Sequence, residues 1–180
     1  EFLDLNEIYE ILSLSSTIIR IGRTLCADNT ITQAVCVGLF FLISGTDPAQ
    51  FNTTALPEII SNCPGGTSTQ TLLHFHQNVI TEKFQALDYG YFGNYKKYGQ
   101  ITPITYDLKK VTAPLAIFYG ANDLLALKTN VLEIHRHLPN VIVLEENPHK
   151  LWTHLDFLWA IDAKTLMYDR LIELLQEFNN

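Results

Sequence analysis

Along the 180 residues the apolar positions change their period several times. Leu5, Ile8, Ile11 and Leu12 recur at helical spacing, so residues 2–20 read as a helix. Residues 31–44 are nearly all apolar and read as a helix buried on most sides. Residues 45–66 are loop-rich, punctuated by Gly45, Pro48, Pro57, Pro64, Gly65 and Gly66. Thr67 and Gln70 have the spacing of a capping box. Leu72, Leu73, His76, Val79 and Ile80 then share one face of a helix over about 68–80. Residues 86–106 carry Tyr89, Tyr91, Phe92, Tyr95, Tyr98 and Tyr106 but keep neither period, and read as an irregular aromatic segment.

The character changes after Asp107. Pro114–Tyr119 and Val141–Leu144 are short continuous apolar runs, and Val131, Leu132, His135 and Leu138 mark a helix of about 129–138 between them. Strand, helix, strand is a βαβ unit, whose parallel strands are expected to be buried on both faces. A last helix, about 163–178, carries Leu166, Met167, Leu171, Leu174, Leu175 and Phe178, with Asp162 suited to its N-cap. No internal repeat occurs. A boundary near residue 107 separates a helical, loop-rich part from a piece of α/β sheet.

Composition narrows the class. The chain is 47% apolar and 17% charged, with mean hydropathy +0.09. Soluble domains average about a quarter charged residues, so this chain is slightly greasy and cannot be disordered. A net charge of −7, with no basic run longer than a pair, excludes a nucleic-acid partner. Protonation of the six histidines near pH 5 would bring that charge towards zero, which fits an acidic compartment. The longest apolar run, Ala34–Ile43, falls short of the ~20 residues of a membrane span. The chain opens on Glu1 with no signal-peptide pattern and reads as a fragment or a processed chain. Cys26 and Cys36 lie close in sequence, and Cys63 stands apart. With the sequon Asn52-Thr53-Thr54, a secretory route and a Cys26–Cys36 bridge fit; three buried thiols are the alternative.

Candidate chemistry sits past the carboxyl ends of the two strands. Asp123 follows the first strand and His154 the second, which is the order of the last two triad members in α/β-hydrolases. An Asp there also suits a helix cap, and a loop His suits a plain surface. No Gly-x-Ser-x-Gly and no His-Gly-Gly-Gly segment occurs, so the chain holds no nucleophile. Ser68 opens a helix with no strand before it, and Cys63 lacks an activating context. His74 and His76, like His135 and His137, diverge on their helices, so no metal site is expected. No Gly-rich phosphate loop follows a strand, so nucleotide binding is not expected either.

Several stretches together resemble the acid lipases, the gastric and lysosomal enzymes and their insect relatives. They are Phe51-Asn52-Thr53-Thr54, Gly66-Thr67-Ser68-x-Gln70 with His74 and Gln77, Lys83-Phe84-Gln85-Ala86-x-Asp88-Tyr89-Gly90, Gly120-x-x-Asp123-Leu124-Leu125-Ala126, and His154-Leu155-Asp156-Phe157. The resemblance implies the C-terminal part of an α/β-hydrolase fold, with residues 1–107 as a mostly helical cap and 108–180 as the last core strands and helices. It implies that the N-terminal half of the core, with the serine elbow and oxyanion hole, lies outside the chain. Asp123 would be the triad acid, His154 the general base, and Asp156 a structural residue at a helix over 155–160. Cys26 and Cys36 resemble the family's cap disulfide, and Asn52 its glycosylation site. Thr153 stands where the family often has Asn, and Leu127 where it often has Asp.

The implied activity is a serine ester hydrolase of lipid catabolism acting on triacylglycerol or sterol esters, secreted or lysosomal, working at a lipid–water interface without cofactor. The rival expectations are a non-catalytic lipid-binding homologue and another α/β-hydrolase such as an epoxide hydrolase. Alone, the chain is expected to be inactive, and to aggregate through apolar surface that the missing strands would cover.

Overall fold

The structure is a computed structural model that describes residues 10–11, 15–28 and 30–178. In chain order its elements are β1 (Glu10–Ile11), α1 (Ser16–Leu25), α2 (Gln33–Ser44), α3 (Leu56–Asn62), β2 (Thr67–Ser68), α4 (Thr69–Thr81), α5 (Gly90–Tyr98), β3 (Leu115–Tyr119), α6 (Lys128–His137), β4 (Val141–Glu146), α7 (Asp156–Trp159), a π-helical turn (Lys164–Tyr168) and α8 (Asp169–Glu177). By contact the chain divides into two compact units. One draws on residues up to Arg20 and on Ile60–Asp107, the other on Ile21–Ile59 and on residues from Leu108 onward.

In the first unit β1 pairs antiparallel with β2, Glu10 opposite Ser68 and Ile11 opposite Thr67. This corrects the helix expected over 2–20. Residues 10–11 are extended, and the helix starts at Ser16. The Ser15 hydroxyl there accepts the Ile18 N–H at 3.2 Å, in the manner of a serine cap. Residues 2–9 and 12–14 lie outside the described residues. The capping box is also corrected. Thr67 pairs in β2, and Ser68 caps α4 by accepting the Thr71 N–H at 3.1 Å.

The aromatic segment 86–106 is not irregular throughout, for α5 lies inside it. A polar network rather than an apolar face holds that helix. Asn94 is buried, and its amide donates to Asp88 at 2.7 Å and to the Ile101 carbonyl at 3.0 Å. Its side-chain oxygen accepts the Tyr89 N–H at 2.9 Å. Gln77 on α4 holds the Asp88 backbone through both N–H and C=O. His74 meets the Gln85 carbonyl at 2.6 Å.

The second unit holds the predicted βαβ unit. β3 and β4 pair in parallel, Leu115 opposite Val141 and Tyr119 opposite Glu146, with α6 between them in sequence. The strands are not buried on both faces as expected. Ala116 and Ile142 are exposed, because the sheet is only two strands wide among the described residues. Beyond β4 the core gathers around Trp152, which is wholly inaccessible, with Ala160, Ala163 and Met167. Phe118 from β3 and Phe157 from α7 pack against them.

Two further expectations change. α2 is a helix, but Val35, Leu39, Leu42 and Ile43 are exposed and only Ser44 is buried. An all-apolar helix signals burial, yet nothing among the described residues covers those side chains. Asp162 does not cap the last helix. Its carboxylate accepts from the Gln50 amide at 3.0 Å, while its carbonyl accepts from the Leu166 N–H and from the Thr165 hydroxyl. That doubled demand on one carbonyl accompanies the π-helical start of the C-terminal helix.

Candidate active site

Asp123 lies four residues past β3, on a turn that Gly120 begins. A Cβ at Gly120 would stand 2.3 Å from the Trp152 carbonyl oxygen, so only glycine lets the two loops approach so closely. The Asn122 N–H donates to that same carbonyl at 3.2 Å. The loop after β4 supplies His154. Asp123 Oδ2 and His154 Nδ1 lie 3.0 Å apart. Oδ1 of Asp123 accepts the N–H groups of Leu125 and Ala126 at 2.8 and 2.7 Å. The acid is buried, whereas the His154 side chain is 44% exposed.

In the tautomer whose Nδ1–H donates to the carboxylate, Nε2 is the ring's acceptor. A cavity of about 290 Å³ opens beside the pair. Phe118, Val131, Phe157 and Leu158 give it apolar walls, and Asp123 and His154 supply its polar groups. The arrangement can accept a proton at Nε2 and stabilise the resulting imidazolium through Asp123.

The chain resembles a set of curated lipases over most of its length. It is 37% identical to bovine (Bos taurus) gastric triacylglycerol lipase over 158 residues, which is 87% of the chain and 39% of that protein. It is 33% identical to human lysosomal acid lipase/cholesteryl ester hydrolase over 170 residues, 94% of the chain and 42% of that protein. It is 32% identical to Lipase 3 of Drosophila melanogaster over 158 residues, 88% of the chain and 40% of that protein. The chain belongs to the acid lipase family. It spans about two-fifths of the length of these curated relatives. No family model matches the chain. An α/β-hydrolase fold follows from the lipase relatives, and the parallel β3–β4 pair is a piece consistent with it.

The remaining candidate residues sort out plainly in an acid lipase chain. Cys26 and Cys36 are disulfide-bonded, with Cα atoms 5.8 Å apart. Cys63 is a free thiol whose pKa burial raises, the opposite of an activated nucleophile. The Ser68 hydroxyl is engaged with the Thr71 N–H and hydroxyl. Asn52 is exposed, and its side-chain oxygen accepts the Ala55 N–H at 3.2 Å, capping a short 3₁₀ turn. Asp156 is buried and accepts the Thr153 N–H at 2.6 Å. Burial raises its pKa, against the lowering effect of the Thr153 hydrogen bonds. Among the described residues no cluster of His, Cys, Asp and Glu could hold a metal ion, and no helix is long and apolar enough to cross a membrane.

Sequence reasoning missed a second acid–histidine contact beside the first. Asp47 Oδ2 meets His149 Nε2 at 2.6 Å, and Asp47 is wholly inaccessible. No spacing rule links residues so distant in sequence. The one available signal was a charged residue, Asp47, three positions past the apolar stretch 31–44.

Proposed function

We propose that this chain carries the acid and the base of a Ser-His-Asp triad in a serine ester hydrolase that acts on lipid esters. The supporting observation is the 3.0 Å contact between buried Asp123 and accessible His154 at the carboxyl ends of adjacent parallel strands. The nucleophile is a serine supplied by residues beyond these 180. His154 Nε2 takes the serine proton as the oxygen attacks the ester carbonyl. The tetrahedral intermediate collapses, His154 protonates the departing alcohol, and an acyl-enzyme forms. Water then attacks that acyl group with His154 again taking the proton, releasing the fatty acid and the free serine. Asp123 holds the imidazole tautomer and offsets its transient charge.

Relatives named triacylglycerol lipase and cholesteryl ester hydrolase point to triacylglycerol or sterol esters as substrates. The protein is secreted or lysosomal, in keeping with gastric and lysosomal relatives and with the Cys26–Cys36 disulfide. We read residues 1–107 as the helical cap region and 108–180 as the last strands and helices of the core. Asn52 is the position for an N-linked glycan.

The test is ester hydrolysis by a chain extended to the length of its relatives. His154→Ala is expected to lower kcat by at least about 10³-fold. The 180-residue chain alone is expected to turn over no ester. Hydrolysis that survives His154→Ala in the extended chain, or His154-dependent turnover by the short chain, sinks the reading.

A further inference from the structure

His154 sits on residues 147–155, a stretch with no regular secondary structure, yet its ring must hold position against Asp123. The four residues Ser44–Asp47, at the end of α2, do the holding. The Ser44 carbonyl accepts the N–H of Leu124 and the N–H of His154, each at 3.3 Å. Each donor belongs to, or directly follows, one member of the pair. The Thr46 carbonyl accepts the Asn122 side-chain amide at 2.9 Å. Gly45 adopts φ +109°, and a Cβ there would lie 2.1 Å from the Asn122 carbonyl oxygen. The strap therefore lies directly against the loop of the acid.

Its side-chain tie is Asp47 to His149. Oδ1 of Asp47 accepts the Ala49 N–H at 3.2 Å. Oδ2 meets His149 Nε2 at 2.6 Å, and neither atom has an aligned hydrogen bond. His149 thus sets a polar ring against a carboxylate oxygen cut off from water, where an unpaired polar group is costly. The His149 backbone is itself tied into the loop. Its N–H donates to Asn147 Oδ1, and its carbonyl accepts the Trp152 N–H, each at 3.0 Å. Fixing the His149 ring thus fixes the turn that feeds Trp152, Thr153 and His154. The charged groups around it are Asp47 and buried Asp156, which also acts on Thr153.

We propose that Asp47 and His149 are positioning residues that hold the His154 ring in register with Asp123. This rests on the triad reading above. The pair touches neither substrate nor the reacting atoms; it acts through the backbone of residues 149–154.

The test uses the extended chain, with two readouts. One is ester hydrolysis. The other is the low-field proton resonance of the His154 Nδ1–H shared with Asp123, which needs no turnover. His149→Ala and Asp47→Ala are expected to lower kcat by about 10- to 100-fold at unchanged KM, and to broaden or abolish that resonance. His149→Gln, which keeps an N–H donor near Asp47, is expected to recover most of both. Wild-type kcat and an intact resonance in both alanine variants overturn the proposal. So does His149→Gln behaving no better than His149→Ala while circular dichroism shows both folded. Should His154→Ala leave hydrolysis intact, the triad reading fails instead, and the resonance alone then decides whether Asp47 and His149 hold the ring.

Discussion

Gly120→Ala probes the closest approach in the site. The added methyl carbon would stand 2.3 Å from the Trp152 carbonyl oxygen and 3.0 Å from its carbon. To reach ordinary contact that carbonyl must retreat by about 1 Å. It cannot swing aside freely. The Trp152 side chain is wholly buried in the core cluster, and its carbonyl accepts the Asn122 N–H. Forcing atoms into a filled core costs about 1–3 kcal/mol. For a chain of this size that is about 2–4 °C in Tm for each kcal/mol. The retreat also carries Thr153 and His154 away from the Asp123 loop. A 1 Å misplacement of a catalytic group costs about 10²-fold in rate. In the extended chain Gly120→Ala is therefore expected to lower both Tm and kcat, with little change in KM. Wild-type Tm together with wild-type kcat would refute the claim that this contact sets the spacing of the two loops.

Three further outcomes follow from the charges and the disulfide. Burial raises the Asp156 pKa above the ordinary 3.8, so its contribution to stability is full below that value and is lost as pH rises through the folded value. Asp156→Asn, which mimics the protonated form, is expected to flatten that fall in urea midpoints measured from pH 3 to 7. Hydrogen bonds from Lys128 and then Lys150 hold Glu146 at about 2, so its contribution is present above 4.5 and is lost as pH falls towards 2. Lys128→Met is expected to move the Glu146 titration upward, read by carboxyl chemical shifts. Cys26→Ser with Cys36→Ser removes a bridge spanning 10 residues and is expected to cost about 3 kcal/mol, read by denaturation with and without reductant.

What could be read from sequence followed local chemistry. β3, β4 and α6 were readable because continuous apolar runs and a 3.6-residue period are strong local signals. That Asp123 and His154 would lie near each other was readable because neighbouring parallel strands bring the loops past their carboxyl ends together. α5 was not, because Asn94 and Asp88 hold it through a polar network that no hydrophobic period reveals. The burial of α2 was misjudged because apolar composition reports what a helix would bury, not whether a partner is present. Asp47 with His149, and Gln50 with Asp162, are contacts between segments far apart in the chain. Such pairs are set by tertiary packing and leave no local trace.

Asp123 shows why the sequence offered two readings of one residue, a loop cap or a triad acid. The structure gives each carboxylate oxygen its own partner, so the two readings are compatible. Oδ1 takes the Leu125 and Ala126 N–H groups, and Oδ2 faces His154. The cap orients the carboxylate, so the turn that follows β3 also aims Oδ2 at His154, as the proposed triad requires. The two roles can be separated. Asp123→Asn keeps an acceptor for the turn but can present an amide N–H to Nδ1, which favours the wrong imidazole tautomer. It is expected to keep most of the stability and to lose about 10⁴-fold in kcat. Asp123→Ala loses both roles and is expected to unfold more easily than Asp123→Asn by about 1 kcal/mol, the usual worth of a side-chain cap. Equal stability of the two variants would mean that the turn stands without Oδ1, and that the acid is held in place by His154 alone.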